Sequence, residues 1–309
     1  MKRFILYRLL QFIPAILGVT FVTFGLMYMA PGDPIDTRLS SAGIAADPAM
    51  VQALRDSFGL NDSFWVQYGR WLGHFVQGDM GISYITDQSV SHLLGAALPY
   101  TIVMALVAMV ITLAVSVPVG MYLANRQHSR IDTGVRWLTF LGNSIPNFII
   151  AIFLLYVVAF QLEWVPVLPT RHFVGVILPA MTLAIVMSSR YIRQVRVATL
   201  EELSKSYIMG LRARGLSEWH VMMPNVLISI SPTIVTLTAL SIGSLMGGAV
   251  IVESIFNWPG LGYILLNALM HRDYLVVQAI VVWMAFVFLL VNLLADLISQ
   301  IMNPKMKES

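Results

Sequence analysis

Residues 101–125 read TIVMALVAMVITLAVSVPVGMYLAN and contain no Asp, Glu, Lys or Arg. An α-helix needs roughly 20 apolar residues to cross the hydrocarbon core of a bilayer, so this stretch predicts a membrane-spanning helix. Five further apolar stretches lie at residues 9–30, 138–162, 177–190, 227–252 and 276–302, of which 177–190 is short and polar at its inner end. The sequence therefore predicts an all-α, polytopic membrane protein with about six transmembrane helices.

The composition supports the same class of protein. Of the 309 residues, 58% are hydrophobic and 11% are charged, and the mean hydropathy is +0.77. A soluble protein of this size needs more charged residues to cover its surface. The absence of cysteine excludes disulfides and thiolate metal sites, and a net charge of +3 is too small to indicate nucleic-acid binding.

Basic residues predict the orientation in the membrane. The segments between the spans form two alternating sets, of which one carries 14 Lys and Arg residues and the other carries 5. Because Lys and Arg accumulate on the cytoplasmic side, both termini and the loop at 190–226 are expected there. The expected organisation is an N-terminal transmembrane helix at 1–30, retained rather than cleaved, an external insertion at 31–97 and a core transmembrane domain at 98–309.

The external insertion is predicted to contain helices. Asp47 and Pro48 resemble the start of a short helix that continues to Leu60. Residues 62–77 place a row of aromatic side chains at helical spacing. These are Trp65, Tyr68, Trp71 and Phe75. We favour packing over the outer mouth of the protein, and direct contact with a solute is the alternative.

Motifs for catalysis and nucleotide binding are absent from the sequence. It has no G-x-x-x-x-G-K-[ST] loop, no H-E-x-x-H pair and no G-x-S-x-G turn. The six histidines are scattered singly, which favours solvated or interfacial side chains over metal ligands. We therefore expect no catalytic, cofactor-binding or metal-binding residues, and any nucleotide chemistry must come from another chain.

The loop at 190–226 is longer than a simple connection between two helices requires. Residues 206–215 predict a short helix with Tyr207 and Leu211 exposed, and Gly215 predicts its C-terminal stop. Leu-Ser-Glu at 216–218 then resembles a new N-cap. A short amphipathic helix of this kind can fill a groove on another protein.

This loop resembles the EAA loop of ATP-binding cassette importer permeases, whose short coupling helix docks on the ATPase subunit. The stretch Tyr207-Ile-Met-Gly-Leu-Arg-Ala-Arg-Gly215 is similar to the divergent Tyr-x-x-x-Ala-Arg-Ala-Lys-Gly form of the peptide group. Met209-Gly210-Leu211 stands where Glu-Ala-Ala would, and the later Ile-x-Leu-Pro pattern lacks its proline at 225–228.

Other stretches extend the resemblance over almost the whole chain, to the dipeptide, oligopeptide and nickel group. The run GGAVIVESIFNWPGLG at 247–262 is the most specific of them. The remaining stretches are PGDP at 31–34, FGLND at 58–62, VQYGRW at 66–71, QGDMGIS at 77–83 and RDYLVVQ at 272–278.

The resemblance implies which residues contact the ATPase and which partners complete the transporter. The expected coupling residues are Tyr207, Met209, Gly210, Leu211, Ala213 and Gly215. The implied partners are two ATPase subunits that bind ATP and Mg, a second homologous permease chain, an extracytoplasmic solute-binding protein and the lipid bilayer. The implied location is the bacterial inner membrane.

Polar and small residues inside the spans are candidates for a solute pathway or gate. Polar side chains that face lipid are costly, so they are expected to face a partner or a water-filled route. Small residues on the fifth span fit either close helix packing or room for a solute, and the Pro-Gly step after Trp258 predicts irregular backbone that resembles an outer gate. The candidates are Asn143, Pro146, Asn147, Ser244, Gly247, Gly248, Glu253, Trp258, Pro259 and Gly260.

The predicted function is the permease subunit of an importer for nickel, as the ion or a chelate, or for di- and oligopeptides. Similarity at 66–71 and in the coupling segment favours nickel or a metal chelate slightly. The alternative is a stand-alone channel or secondary transporter that uses no ATP. It does not require a long structured loop, and no inverted halves with matching interrupted helices are visible in the sequence.

Overall fold

The computed structural model describes residues 2–41, 43, 47–166 and 173–302, without the side chains of 2–6, 40–41, 173, 244 and 299–302. Within these ranges, five helices are long and apolar enough to cross a membrane, and the number is six if a bent pair of helices is counted as one span. The all-α, polytopic class is thereby confirmed. Arg171, Lys305 and Lys307, which entered the orientation argument, lie outside the described residues.

The long helices are α1 (Lys2–Met29), α5 (Val90–Asn125), α8 (Phe173–Leu203), α11 (Ile228–Ile255) and α13 (Tyr274–Met302). The bent pair is α6 (Arg130–Ser144) and α7 (Asn147–Leu154), with a π-helical continuation at Leu155–Gln161. The shorter helices are α2 (Pro34–Ser41), α3 (Pro48–Phe58), α4 (Phe64–Val76), α9 (Ser206–Ala213), α10 (Glu218–Val221) and α12 (Leu261–Met270). A π-helical turn at Met222–Leu227 joins α10 to α11.

The third span differs from the single helix expected at 138–162. Its two halves, α6 and α7, meet at an angle of 101°. Proline disfavours the helical conformation of the residue before it, and Ile145 is accordingly extended, with φ −85° and ψ 126°. Pro146 lies at the N-cap of α7, where its missing N–H costs nothing.

The fourth span is also longer than the predicted stretch at 177–190. Helix α8 has 31 residues and continues to Leu203. Apolar content decreases near Arg190, whereas the helix continues because the basic and polar residues that follow are good helix formers. A hydropathy window therefore identified only the apolar part of this helix.

The chain forms two compact units, of which the first comprises residues 1–101 and 259–290. In this unit the predicted insertion helix near 47–60 is confirmed as α3. The Asp47 carboxylate accepts a hydrogen bond from the Ala49 N–H at 3.2 Å, and Gly59 ends the helix with φ +64°. Both are standard helix-end signals.

The predicted aromatic helix at 62–77 is confirmed as α4, and its aromatic face packs on α1. The Phe24 ring lies 5.5 Å from the Phe64 ring and 5.4 Å from the Tyr68 ring, measured between centroids in edge-to-face geometry. Such pairs add to the stability that burial of the rings provides. Packing is therefore the principal role that the structure shows for this face.

The segment after α4 is tied to the start of α13. The Ser83 hydroxyl donates to the buried Asp273 carboxylate, and the Tyr84 N–H donates to the same carboxylate at 3.3 Å. Burial raises the pKa of Asp273, although these hydrogen bonds oppose the shift. Burial likewise raises the pKa of the Tyr84 hydroxyl.

The second unit comprises residues 102–258 and 291–309, and α8 packs there against α6, α7 and α11. The buried Asp132 carboxylate forms a bidentate pair with Arg196, with distances of 2.7 and 2.8 Å. Helices α5 and α8 approach closely at Gly120, where an added Cβ atom would lie 2.8 Å from Val195 Cβ. Small residues permit this kind of approach between membrane helices.

Candidate coupling surface and solute pathway

The predicted helix at 206–215 is confirmed as α9, and Gly215 forms its C-terminal stop. Gly215 has φ +84°, and its N–H donates to the Arg212 carbonyl at 3.0 Å. The following Ser217 is extended and precedes α10, as the sequence predicted. Arg212 then forms a bidentate pair with Glu218 at 2.8 and 3.0 Å, which links the two short helices.

One face of α9 is anchored in an apolar cluster. Ile208 is fully buried and packs in a cluster with Met121, Val195 and Val226. Leu211 lies one turn further along the same face and packs against this cluster. Leu211 is therefore partly buried rather than exposed, because it shares the inward face with Ile208, and its contact with a partner stays a prediction.

A polar contact at the start of α9 fixes its position against α8. Glu202, near the end of α8, accepts hydrogen bonds from Lys205 Nζ and from the Tyr207 hydroxyl, both at 2.6 Å. Partial burial and the Glu202 carboxylate raise the pKa of the Tyr207 hydroxyl, and the hydrogen bond to Glu202 raises the pKa of Lys205. The Tyr207 hydroxyl is therefore engaged within the chain, while its ring remains partly exposed.

The outward face of α9 is open. Met209 is 75% exposed, and a Cβ atom added at Gly210 or Gly215 would meet nothing within 4 Å. Trp219 on α10 is likewise 68% exposed, although the sequence analysis did not select it. The sequence did contain a signal for it, because Trp219 follows the predicted N-cap at 216–218 within a loop that is expected to contact a partner.

Helices α7, α8 and α11 enclose a cavity of about 340 Å³ that brings together three of the predicted pathway residues. These are Asn147, Gly247 and Gly248. The close approach is visible at Gly248, where an added Cβ atom would lie 2.9 Å from Asn147 Nδ2. A larger residue at Gly248 would therefore displace the Asn147 amide from its position.

Sequence reasoning missed two polar residues in the lining of this cavity, Tyr191 and Arg190. Ser241 accepts a hydrogen bond from the Tyr191 hydroxyl at 2.9 Å, and both side chains are buried. Arg190 is the charged residue among the lining side chains. Leu183, Met187 and Arg190 lie at helical spacing along α8, a signal that could have placed Arg190 on the same face.

The other predicted pathway residues do not line this cavity. Asn143 is exposed near the end of α6, and Pro146 lies at the bend. Glu253 and Trp258 are buried, with the Trp258 N–H donating to the Glu253 carbonyl at 2.8 Å. Pro259 and Gly260 precede α12 in the first unit, and the side chain of Ser244 lies outside the described residues.

The predicted irregular backbone after Trp258 is confirmed. Helix α11 ends at Ile255 and α12 begins at Leu261, with Gly260 extended at the N-cap. The gate function suggested for this break stays a prediction. Across the described ranges, no group of three or more His, Asp or Glu side chains could hold a metal ion.

A multi-pass helical membrane protein with a polar cavity between its spans has the features of a transport protein. Residues 116–308 match the family described as the binding-protein-dependent transport system inner membrane component. Residues 1–105 match the family that describes the N-terminal region of the same membrane components. The chain belongs to the family of binding-protein-dependent transport system inner membrane components.

Curated relatives agree over nearly the full length. The chain is 36% identical to the oligopeptide transport system permease protein AppB of Bacillus subtilis, covering 99% of this chain and 100% of that protein. It is 32% identical to the nickel import system permease protein NikB of Staphylococcus aureus, covering 98% of this chain and 91% of that protein. The resemblance to importer permeases of the peptide and nickel group is confirmed.

A solved structure supports the fold. The chain is similar to a chain of the MetNI methionine ABC transporter in inward-facing conformations, with a TM-score of 0.61 and 17% identity. The match covers 69% of this chain and 97% of that one. The family match and the curated relatives do not favour the stand-alone channel or secondary transporter.

Proposed function

We propose that this chain forms the membrane pathway of an ATP-driven importer and hydrolyses no ATP itself. Two ATPase subunits that bind ATP and Mg, a second homologous permease and an extracytoplasmic binding protein complete the assembly. The observation that supports this proposal is the packing of α9. One side of this helix is held in place by Ile208 and by the Glu202–Tyr207 hydrogen bond. Its opposite face presents Met209 and the open Gly210 surface.

Co-purification from native membranes tests this proposal. The chain, isolated through a C-terminal tag in mild detergent, is expected to retain an ATPase and a second permease. Reconstituted into liposomes, the complex is expected to hydrolyse ATP faster when the loaded binding protein is present. Nucleotide-independent solute flux by the chain alone would instead support the channel or secondary-transporter alternative.

The proposed orientation places both termini and α9 in the cytoplasm and residues 31–97 outside. It is supported by the asymmetry of 14 against 5 basic residues. Reporters after Ser309 and near Ala46, both outside the described residues, should read cytoplasmic and external, respectively. Protease cleavage of the C-terminus from outside intact cells would contradict this orientation.

The charge of the cavity favours one class of solute within the peptide and nickel group. Arg190 lines the cavity, and no acidic side chain does. A guanidinium attracts carboxylates and repels a hydrated metal cation. We therefore propose that the solute carries a carboxylate, as a peptide or as an anionic nickel chelate.

Reversal of the charge at Arg190 tests this solute class. Arg190→Glu is expected to reduce uptake of a carboxylate-bearing solute about tenfold or more, because a charge-assisted hydrogen bond is replaced by repulsion. Arg190→Lys should retain most uptake, since it keeps the charge. Arg193→Glu, on the same helix but outside the cavity lining, is the matched control. Solute uptake into proteoliposomes is the measurement, and unchanged uptake by Arg190→Glu would contradict the assignment.

A further inference from the structure

One face of α6 is open within the second unit. A groove with a volume of about 370 Å³ lies along this face, and the residues that line it all belong to α6. They are Thr133, Arg136, Trp137 and Phe140, which recur at the spacing of one helical face. Arg130 lies one turn before Thr133 on the same face. We call these five residues the open face of α6.

The side of α6 that packs against α8 is a different one. Asp132 is fully buried there, and a Cβ atom added at Gly142 would collide with Ser189 Oγ of α8. On the open face, by contrast, Trp137 is 65% exposed and Phe140 is 55% exposed. Their rings contact each other edge to face, with 6.3 Å between centroids. The helix is therefore held by one side and presents aromatic rings on another.

The open face and the turn before it carry an excess of positive charge. Arg126, Arg130 and Arg136 are all exposed. The α5–α6 turn and α6 together contain one acidic residue, Asp132. Its buried carboxylate forms the bidentate pair with Arg196, and Arg136 Nε lies 3.8 Å from it. Two guanidinium groups thus share one carboxylate, and no other acidic side chain of this stretch balances the remaining arginines.

The neighbouring spans place this charge at the membrane boundary. Residues 102–125 of α5 contain no charged side chain, and Arg126 follows them directly. Residues 126–129 connect this span to the bent span that begins with α6. A turn between two spans lies where the hydrocarbon core meets the lipid headgroups. The long side chain of Arg136 can extend toward the same layer.

Along α6, positive charge comes first and aromatic surface follows. Arg130 and Phe140 are about 15 Å apart along the helix axis, at 1.5 Å per residue. An anionic phospholipid has the same order, because its phosphate group is followed by apolar acyl chains. Guanidinium groups bind phosphate oxygens through paired N–H donors, and tryptophan is enriched where headgroups meet hydrocarbon.

We propose that the open face of α6 binds an anionic phospholipid. Arg130 and Arg136 bind the phosphate group, and Trp137 and Phe140 pack against the first part of an acyl chain. The excess of positive charge selects a headgroup with net negative charge, because a zwitterionic headgroup also brings a cation to the arginines. In the proposed orientation this lipid lies in the cytoplasmic leaflet.

Other occupants fit this face less well. A soluble anion such as inorganic phosphate pairs with the arginines but leaves Trp137 and Phe140 exposed. An apolar helix of a partner chain covers the rings but leaves Arg130 and Arg136 without counter-charges, which is costly at the membrane boundary. A phospholipid supplies both the anion and the apolar surface in one molecule.

Dihexanoylphosphatidylglycerol is a suitable probe, because its short chains keep it soluble and its headgroup is anionic. It is titrated into the purified complex in a non-ionic detergent, and the unfolding temperature is measured. A saturable stabilisation that weakens with added salt is expected. Dihexanoylphosphatidylcholine, which has the same chains without net charge, and glycerol 3-phosphate, which has no chains, should have little effect. No transport or ATP hydrolysis is required, so the outcome is independent of the proposed function.

Arg130→Gln and Arg136→Gln each remove one positive charge from the open face. Each should weaken binding of the probe about fivefold, the effect of one basic residue next to anionic lipid. Arg136→Lys keeps the charge and should retain most of the affinity, whereas Trp137→Ala should reduce it. Arg214→Gln, which removes an exposed arginine elsewhere in the same unit, is the matched control. Arg130→Gln provides the test if Arg136→Gln, whose side chain lies near Asp132, does not fold.

Four results would overturn the proposal. They are equal stabilisation by phosphatidylcholine, stabilisation by glycerol 3-phosphate alone, unchanged affinity in both Arg130→Gln and Arg136→Gln, and no saturable effect of phosphatidylglycerol on the complex. The last result would mean that another chain covers the open face. Weaker binding in either glutamine variant, with Arg214→Gln unchanged, supports the proposal.

Discussion

Gly215→Val is expected to abolish transport and solute-stimulated ATP hydrolysis while leaving the chain inserted and folded. Gly215 has φ +84°, a conformation that costs a β-branched residue about 1–3 kcal/mol. No atom lies within 4 Å of an added Cβ, so backbone strain rather than collision within this chain drives the effect. Relief of that strain rotates α10 relative to α9 and disrupts the surface that the two helices present together.

A matched control distinguishes the effect of backbone strain at a glycine from the effect of its location in the proposed coupling loop. Gly78 also has φ +84° and an equally open Cβ direction, but it lies in the insertion. Gly78→Val should impose a similar backbone cost and retain transport. Ala213→Trp should impair coupling less severely than Gly215→Val, and Arg126→Ala should be mild.

Uptake and ATPase activity are measured in proteoliposomes at equal amounts of inserted protein. Normal transport by Gly215→Val with its ATPase still bound would show that this loop is not the coupling element. Loss of transport in both glycine variants would point instead to general destabilisation.

Gly120→Leu is expected to prevent accumulation of folded protein. An added Cβ atom would lie 2.8 Å from Val195 Cβ and 3.0 Å from the Ile192 carbonyl oxygen, so the backbones of α5 and α8 would have to separate. Overpacking of a well-packed interface typically costs about 1–3 kcal/mol, and a backbone contact leaves little room for relaxation. The neighbouring Met121 and Val195 belong to the cluster that anchors α9, so that anchor should loosen as well.

Gly134→Leu is the control for this substitution. Gly134 also lies in a helix, and an added Cβ atom there would meet nothing within 4 Å. The yield of monodisperse protein and its unfolding temperature in detergent are the measurements. A Gly120→Leu protein as abundant and as stable as Gly134→Leu would refute the close contact between α5 and α8.

Local signals in the sequence were sufficient for much of the fold. Apolar length identified the spans, because the thickness of the bilayer sets the length of a helix. The Asp47-Pro48 start and the Gly215 stop were recognisable because helix ends depend on a few adjacent residues. The 101° bend was missed, although Pro146 was noted, because sequence alone does not distinguish a kink from a break.

The candidate site depended on contacts between distant residues. Asn147 and Gly248 are separated by about a hundred residues and meet only after α7 and α11 pack. The sequence analysis used Arg190 only as a positive charge in the orientation argument. Its position in the cavity lining became visible only because α8 continues as a helix beyond the apolar stretch. The direction of Leu211 depends likewise on a cluster contributed by α5, α8 and the segment after α10.

Helix α8 continues without interruption from Arg190, in the cavity lining, to Glu202, which holds Tyr207. At 1.5 Å per residue, these two positions are about 18 Å apart along one axis. Such a helix acts as a stiff rod, with Arg190 near its middle and the anchor of α9 at its end. If α9 docks on the ATPase as proposed, a displacement of α9 would shift the cavity wall at Arg190 as part of one rigid helix, without any local unfolding between the two positions.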